Sequence, residues 1–229
     1  MRDAIPIRRA LISVSDKSYL LELVSSLYKV NPDLDILSSG GTYRVITGKE
    51  RKAEEQAYPN FPAREVSAYT GFPESPDGLL KTLHPGVHGG ILLNPEVPTH
   101  ASYMSDNGQM QILPIELVVV NLYPFNKMVE DGAELERLRA HGIDIGGPAM
   151  VNAAAKSFPH VAVVTDPYSF DVFMEHFKID GTTNLATRFR LATRAFDLTS
   201  SFYAGVRDHL RTLDPEQTAE YYRGLKVVD

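Results

Sequence analysis

The pair Lys81-Thr82 stands in the middle of a stretch, residues 70–92, that is rich in glycine and proline. A lysine ammonium, a threonine hydroxyl and adjacent main-chain N–H groups are the groups that hold a phosphate or stabilise an oxyanion. Because glycine and proline interrupt helices and central strands, we predict an ordered loop here. Long ordered loops in compact domains usually carry a site, and a proline-stiffened surface crossing is the alternative.

Two earlier segments have the chemistry of an anion site. Ser15, Asp16 and Lys17 follow a short apolar run, and Ser39-Gly40-Gly41-Thr42 separates a predicted strand from a short helix. Glycines at such a junction allow main-chain N–H groups to face a bound anion. Taken separately, each segment could equally be a plain turn, and Lys17 a plain exposed lysine.

Groups suited to proton transfer occur at two later junctions. Asn121 and Tyr123 lie at the end of an apolar, β-branched run, and Asp144 precedes a Gly-Gly pair and a helix that carries Lys156. In open parallel sheets, ligands bind beyond the carboxyl ends of the strands, which is where Asn121 and Tyr123 are expected. Each group also has an ordinary structural reading: a packed tyrosine, a capping aspartate and a solvated lysine.

Alternating strand and helix patterns predict the elements that position these residues. Apolar runs typical of buried strands occur at residues 10–14, 35–38, 115–122 and 161–164, with helical patterns between them. This alternation predicts an α/β fold with a mainly parallel sheet and helices on both faces. A long amphipathic helix, marked by Leu185, Phe189, Ala192 and Phe196, should cover the sheet or a partner chain. We expect one domain over residues 1–212 and a tail over residues 213–229.

Composition narrows the classes of function. The chain has 229 residues, 43% hydrophobic and 23% charged, which is ordinary for a single globular domain. A net charge of -6 with scattered basic residues argues against nucleic acid or a membrane surface as partner. The absence of cysteine excludes thiolate chemistry and disulfides. Without an apolar leader or spanning segment in the sequence, a cytoplasmic protein is expected.

His84 and His88 raise the question of a metal site because they are four residues apart. The proline and glycines around them make a shared helical face improbable, and the sequence places no third ligand. We therefore predict no metal site.

Seven motifs, in this order along residues 8–205, resemble the IMP cyclohydrolase domain of the bifunctional purine biosynthesis proteins. They are Ser-Val-Ser-Asp-Lys (13–17), Ser-Gly-Gly-Thr (39–42), Thr-Gly-Phe-Pro-Glu (70–74), Lys-Thr-Leu-His-Pro with His-Gly-Gly-Ile-Leu (81–92), Asn-Leu-Tyr-Pro-Phe (121–125), Ile-Asp-Ile-Gly-Gly-Pro (143–148) and Ala-Ala-Ala-Lys (153–156). Each motif is weak by itself, and their ordered occurrence makes the resemblance specific.

The resemblance implies a methylglyoxal-synthase-like fold, a three-layer α/β/α sandwich. It also implies the last step of de novo purine biosynthesis, in which 5-formamido-1-(5-phosphoribosyl)imidazole-4-carboxamide closes to IMP with loss of water, without a metal or organic cofactor. The expected partners are this nucleotide and IMP. A homodimer and a separate formyltransferase that supplies the substrate are open alternatives.

By the same resemblance, Lys81, Tyr123, Asp144 and Lys156 form the catalytic set. We expect Asp144 to activate the carboxamide and Lys81 to stabilise the oxyanion. Lys156 with Tyr123 would exchange protons with the formyl oxygen. The resemblance assigns phosphate and ribose binding to Ser15, Lys17, Ser39, Gly40, Gly41, Thr42 and Thr82, and base binding to Asn121, Ile145 and Gly146.

Two positions depart from the family's pattern, since Leu79 and Asn152 stand where arginine is usual. The chain also ends before a formyltransferase domain, so either a separate enzyme supplies the substrate or the sequence is part of a longer protein. Two other readings use the same fold. They are methylglyoxal synthase, which lacks the motifs at 81–92 and 121–125, and a nucleotide-sensing regulatory domain, which would need neither Asp144 nor Lys156.

Overall fold

The computed structural model describes residues 2–73, 75 and 80–225, and within them seven strands form two sheets. The strands are β1 (Ile5–Pro6), β2 (Arg9–Val14), β3 (Asp35–Ser38), β4 (Arg64–Glu65), β5 (Leu117–Asn121), β6 (Ala162–Val164) and β7 (Thr182–Thr183). Five of them make a wholly parallel sheet in the order β4-β3-β2-β5-β6. Strands β1 and β7 pair antiparallel in a separate ribbon.

Helices connect and cover the strands. They are α1 (Leu20–Val30), α2 (Gly40–Ile46), α3 (Val66–Thr70), α4 (Pro85–Leu92), α5 (Pro98–Ser105), α6 (Phe125–Glu130), α7 (Leu135–Arg137), α8 (Gly146–Lys156), α9 (Pro167–Asp180), α10 (Leu185–Arg211) and α11 (Pro215–Gly224). A π-helical turn, Leu138–Gly142, continues α7. Helix α11 lies within the stretch expected to be a tail. None of the helices in the described ranges combines the length and apolar composition that crossing a bilayer requires.

The parallel sheet confirms the predicted α/β sandwich. Strand β2 leads to β3 on one side of the sheet and β5 leads to β6 on the other, so right-handed crossovers place α1 and α8 on opposite faces. Helix α9 packs beside α1, while α4 and α10 pack beside α8. Because both faces are covered, the central strands are apolar throughout, and residues such as Leu11 and Val118 are fully buried.

The order of the strands reverses between β2 and β5, which are neighbours in register with Val14 opposite Asn121. Such a reversal opens a crevice at the carboxyl ends of the two strands, because the following loops turn to opposite faces. The predicted site residues after β2 and β5 therefore meet at this edge.

The prediction of a loop over residues 70–92 is wrong in its last third, where α4 forms. Residues 74 and 76–79 of this stretch lie outside the described residues. Pro85 occupies the first helical turn, and Nδ1 of His84 caps the helix by accepting the N–H of Gly86 at 3.0 Å. The glycines serve close packing, since a Cβ on Gly90 would lie 2.6 Å from the carbonyl oxygen of Leu113. Contacts with the following segment therefore outweigh the poor helix propensity.

Helix α10 forms as predicted, but two of the four residues that marked its stripe face outward. Phe189 and Phe196 are 56% and 44% exposed, whereas Leu191 and Ala195 are buried. The buried face also contains Arg188, which is fully buried. Its guanidinium donates to the carbonyl oxygens of Asp3, Phe158, Pro159 and Thr183. A charged side chain saturated by carbonyl groups thus occupies a core position that hydrophobic spacing does not reveal.

Candidate active site

A cavity of about 470 Å³ opens at the carboxyl ends of β2, β3 and β5. Its walls combine the loops after these strands, the Lys81-Thr82 turn and the start of α8. Of the predicted site residues, those that line it are Ser15, Lys17, Ser39, Gly41, Thr42, Lys81, Thr82, Asn121, Tyr123, Asp144, Ile145 and Gly146. Residues that the sequence places far apart are thereby brought to one site.

Side-chain hydrogen bonds fix the junction between β2 and α2. The hydroxyls of Ser13 and Ser39 lie 2.8 Å apart. The hydroxyl of Thr42 accepts the N–H of Val14 and donates to its carbonyl oxygen, both at 3.1 Å. Because both functions of the Thr42 hydroxyl serve β2, its role here is to hold the loop. Gly40 is buried behind the cavity and does not line it.

The amide of Asn121 performs a similar task at the end of β5. Its Oδ1 accepts the N–H groups of Ser15 at 2.6 Å and Asp16 at 3.1 Å, and its Nδ2 donates to the carbonyl oxygen of Asp16 at 2.8 Å. These three bonds join the loops after β2 and β5 across the crevice. The expected contact of Asn121 with a base stays a prediction, and the structure shows what its side chain does in the protein itself.

Lys17 supplies positive charge to the β2–β3 end of the cavity. Its ammonium donates to the carbonyl oxygen of Ser15 at 3.2 Å. Partial burial lowers the pKa of Lys17, and the nearby cations Arg44 and Lys81 lower it further, while the carboxylate of Glu50 raises it. Arg44 and Lys81 therefore lie near enough to act on Lys17, and cations that lie near one another favour an anionic ligand in that region.

Asp144 lines the cavity two residues before the start of α8. Its Oδ1 accepts the N–H of Gly147 at 3.2 Å. Burial raises the pKa of the Asp144 carboxyl above its ordinary value, against the opposing effects of the main-chain N–H groups and of Lys81. A carboxyl with a raised pKa in a cavity is a candidate general base.

The Gly-Gly pair after Asp144 is required by close approach. A Cβ on Gly147 would lie 2.2 Å from Oδ2 of Asp144, and one on Gly146 would lie 2.9 Å from the hydroxyl oxygen of Thr82. Any larger residue would displace one of these two polar groups. The glycines therefore set the positions of the aspartate and of the Lys81-Thr82 turn.

Tyr123 forms a partition between two concave regions. It lines the main cavity and also a neighbouring cleft of about 370 Å³ beside α6 and α10. With 47% of its surface exposed, the side chain is accessible. From α10, Tyr203 lies close enough for the charge of Asp144 to raise the pKa of its phenol, an effect smaller than that of burial.

Lys156 is not brought to the cavity. It is exposed at the last residue of α8, whereas Gly146 at the first residue lines the site, and ten residues of helix span about 15 Å. Asn152, one of the two departures, accepts a hydrogen bond from the hydroxyl of Thr199 in α10 at 2.8 Å. The other departure, Leu79, lies outside the described residues.

Sequence reasoning missed several cavity residues, chiefly His141. It lies on the π-helical turn, which the bond from the Ile143 N–H to the carbonyl oxygen of Leu138 closes at 2.9 Å. Turns of this kind are frequent at functional sites. Its position three residues before Asp144 was the one available signal. The others are Ser13, Val14, Leu83, Val120, Ala140, Ile143, Gly147 and Met150.

Two family models match the chain. The MGS-like domain model matches residues 19–149. The model described as AICARFT/IMPCHase bienzyme matches residues 154–227.

Curated relatives and a solved structure are also similar. Bifunctional purine biosynthesis protein PurH of Mycobacterium marinum is 43% identical over 213 residues, which cover 93% of this chain and 38% of that protein. PurH of Lactobacillus delbrueckii subsp. bulgaricus is 41% identical over 203 residues, covering 89% and 37%. The chain thus spans less than two fifths of these relatives. A crystal structure of ForH matches with a TM-score of 0.67 and 26% identity, covering 88% of this chain and 97% of that one.

Proposed function

We propose that this chain, which belongs to the MGS-like domain family, is an IMP cyclohydrolase. Its substrate would be 5-formamido-1-(5-phosphoribosyl)imidazole-4-carboxamide. The match to the bienzyme model and the similarity to proteins named for purine biosynthesis support a role in that pathway. The cytoplasmic location expected from the sequence is part of the same proposal.

The reaction is an intramolecular ring closure. The carboxamide nitrogen forms a bond to the formyl carbon and gives up one proton, while the formyl oxygen becomes a hydroxyl. Breaking the carbon–oxygen bond then releases water, with the second proton coming from the former formamide nitrogen. Because amides are weak nucleophiles, the site must orient the two groups, accept a proton and stabilise an oxyanion.

The observation that carries the proposal is that Lys81, Tyr123 and Asp144 line one cavity together with the cationic Lys17. The raised pKa of Asp144 suits acceptance of the carboxamide proton. Lys81, which is close enough to lower that pKa, would stabilise the oxyanion. Tyr123 would exchange a proton with the formyl oxygen.

Lys156 could take part only from a second copy of the chain, and we include that copy in the proposal. One side of α8 carries, at spacings of three and four residues, Ala149, Asn152 and Lys156, and Ile145 continues it just before the helix begins. A two-fold axis at the middle of this side would pair α8 antiparallel with its copy and bring each Lys156 to the Ile145 end of the other chain. On the adjoining α10, Phe189, Phe196 and Tyr203 are exposed at seven-residue intervals and would extend the interface.

Absorbance-monitored conversion of the formamido nucleotide to IMP tests the proposal. The wild type should turn the nucleotide over, and Lys81→Ala and Asp144→Asn should each lose about 100-fold or more, as expected for a group acting in the transition state. Binding of IMP without turnover by the wild type would instead support a nucleotide sensor. Release of methylglyoxal from dihydroxyacetone phosphate would support the synthase reading.

A further inference from the structure

Arg44 brings a second cation close to Lys17, beside the part of the cavity that Gly41 lines. Gly41 lines the cavity, and a Cβ built on it would lie 3.7 Å from Nζ of Lys17 and 3.7 Å from Nη2 of Arg44. The charged ends of the two side chains therefore converge beside the same main-chain position. Arg44 lies on α2, four residues after Gly40.

Charges of both signs surround this position. Nε of Arg44 donates to Glu50 at 2.6 Å, and both side chains of this pair are at least half exposed to solvent. Pairs of this kind are weak because water screens them. Arg44 and Lys81 lower the pKa of Lys17, while Glu50 and Asp16 raise it, and Glu50 has the largest effect of these four charges. A dianion placed beside Gly41 would relieve the repulsion between Lys17 and Arg44.

We infer that Arg44, together with Lys17, binds the phosphate of the nucleotide. The identity of the ligand as a nucleoside monophosphate rests on the proposed function. Nε of Arg44 donates to Glu50, whereas Nη2 is the nitrogen beside Gly41, so a phosphate oxygen placed there would meet a different nitrogen from the one that binds Glu50. A lysine carries all its donors on one nitrogen and would have to bring the carboxylate and the phosphate to the same atom.

Calorimetric binding of IMP, inosine and inorganic phosphate tests this role without requiring turnover. Arg44→Met should weaken the binding of IMP and of inorganic phosphate by about 10- to 100-fold, because one charge-assisted contact is lost. The affinity for inosine should not change. Arg44→Lys should fall between. Lys49→Met is the matched control. It also removes one positive charge from this segment, but the ammonium of Lys49 contacts Tyr43.

Glu50→Gln separates phosphate binding from a merely structural ion pair. If Arg44 served only to anchor Glu50, both variants would break the same pair and both would weaken IMP binding. For a phosphate ligand, removal of the carboxylate should tighten IMP binding by about two- to five-fold, since like charge is removed from its vicinity.

The outcomes are distinguishable from failure of the proposed function. If the wild type binds inorganic phosphate but not IMP, the assignment of the ligand as a nucleotide is overturned, and Arg44 is then a contact for an anion only. Equal IMP affinity in the wild type and Arg44→Met, or an equal loss in Lys49→Met, would overturn the role of Arg44. Weaker inosine binding in Arg44→Met would show a general disturbance of the cavity and would overturn it as well.

Discussion

Oδ1 of Asn121 accepts the N–H of Ser15 at 2.6 Å, across the point where the order of strands reverses. The same amide binds both main-chain groups of Asp16, so a single side chain fixes the loop that follows the neighbouring strand. Its position at the end of β5 is thus explained by the architecture of the crevice, whatever contact it makes with a ligand.

Asn121→Ala should both destabilise the fold and weaken IMP binding. The substitution leaves main-chain groups of Ser15 and Asp16 without partners, a loss of about 1–3 kcal/mol. Asn121→Asp keeps the acceptor for two N–H groups and should cost less stability. Urea denaturation and IMP titration of both variants make the measurement, and equal stability of Asn121→Ala and the wild type would contradict it.

Asp144→Asn should lower turnover by about 100-fold or more and yet stabilise the folded chain at neutral pH. Burial raises the pKa of Asp144, so the folded chain holds this proton more tightly than the unfolded chain does. Ionised Asp144 therefore costs stability as the pH rises from the ordinary carboxyl value through the raised one, and the cost is complete above it. Asparagine keeps the acceptor for the Gly147 N–H without a charge.

The pH dependence of turnover provides the second readout for Asp144. The acid limb of the wild-type profile should lie above the ordinary aspartate pKa of about 3.9, because the base must be ionised to act. An acid limb at or below that value, or lower stability of Asp144→Asn at neutral pH, would contradict the assignment.

Gly147→Ala should lose activity to nearly the extent of Asp144→Asn. The new Cβ would lie 2.2 Å from Oδ2 of Asp144 and must displace the carboxylate. Gly224→Ala is the matched control because nothing lies within 4 Å of a Cβ there. Kinetics and circular dichroism of both variants decide the matter, and a Gly147→Ala enzyme of normal kcat would show that the carboxylate is not needed where it lies.

Lys81→Ala and Lys156→Ala should each be inactive alone and regain activity when mixed. In a mixed pair, one site has Lys81 from its own chain and Lys156 of the partner subunit, whereas the other site has neither. Random exchange of subunits should therefore restore about a quarter of the wild-type activity. Full activity of Lys156→Ala would remove this residue from the mechanism, and absence of recovery on mixing would remove the second copy from the site.

His160→Gln should make the fold less sensitive to mild acid. Nε2 of His160 lies 3.2 Å from the carbonyl oxygen of Ile91, and burial lowers the pKa of the ring. The unfolded chain then takes up a proton as the pH falls through about 6.5 while the folded chain does not, so stability is lost on acidification. Glutamine can keep the bond without titrating. If the denaturation midpoint falls equally in wild type and variant between pH 7 and pH 5.5, the prediction is contradicted.

The sheet and much of the cavity could be predicted because they follow from local patterns. β-branched runs such as residues 117–120 are typical of strands buried on both faces, and the polar residues at their ends necessarily share an edge. Asp144 follows no strand, and its grouping with these residues came from the family resemblance; the residues themselves indicate only an aspartate before a Gly-Gly pair and a helix.

Tertiary contacts determined what could not be predicted. Helix α4 depends on Gly90 packing against Leu113, and the core position of Arg188 depends on carbonyl groups from four separate residues. The distance of Lys156 from Asp144 was available from the sequence, because eleven residues of uninterrupted helix separate the ends of α8 by about 15 Å. The resemblance grouped the two residues by role, and the geometry of one chain separates them.

The interactions of Arg188 also bear on how the chain folds during synthesis. Its guanidinium binds the carbonyl oxygen of Asp3, a residue synthesised 185 positions earlier, and β1 pairs with β7. The central sheet can assemble once β6 is available, while β1 must wait until β7 and the start of α10 are made. Long-range closure of this kind is slow, and it makes the docking of β1 a late event in folding.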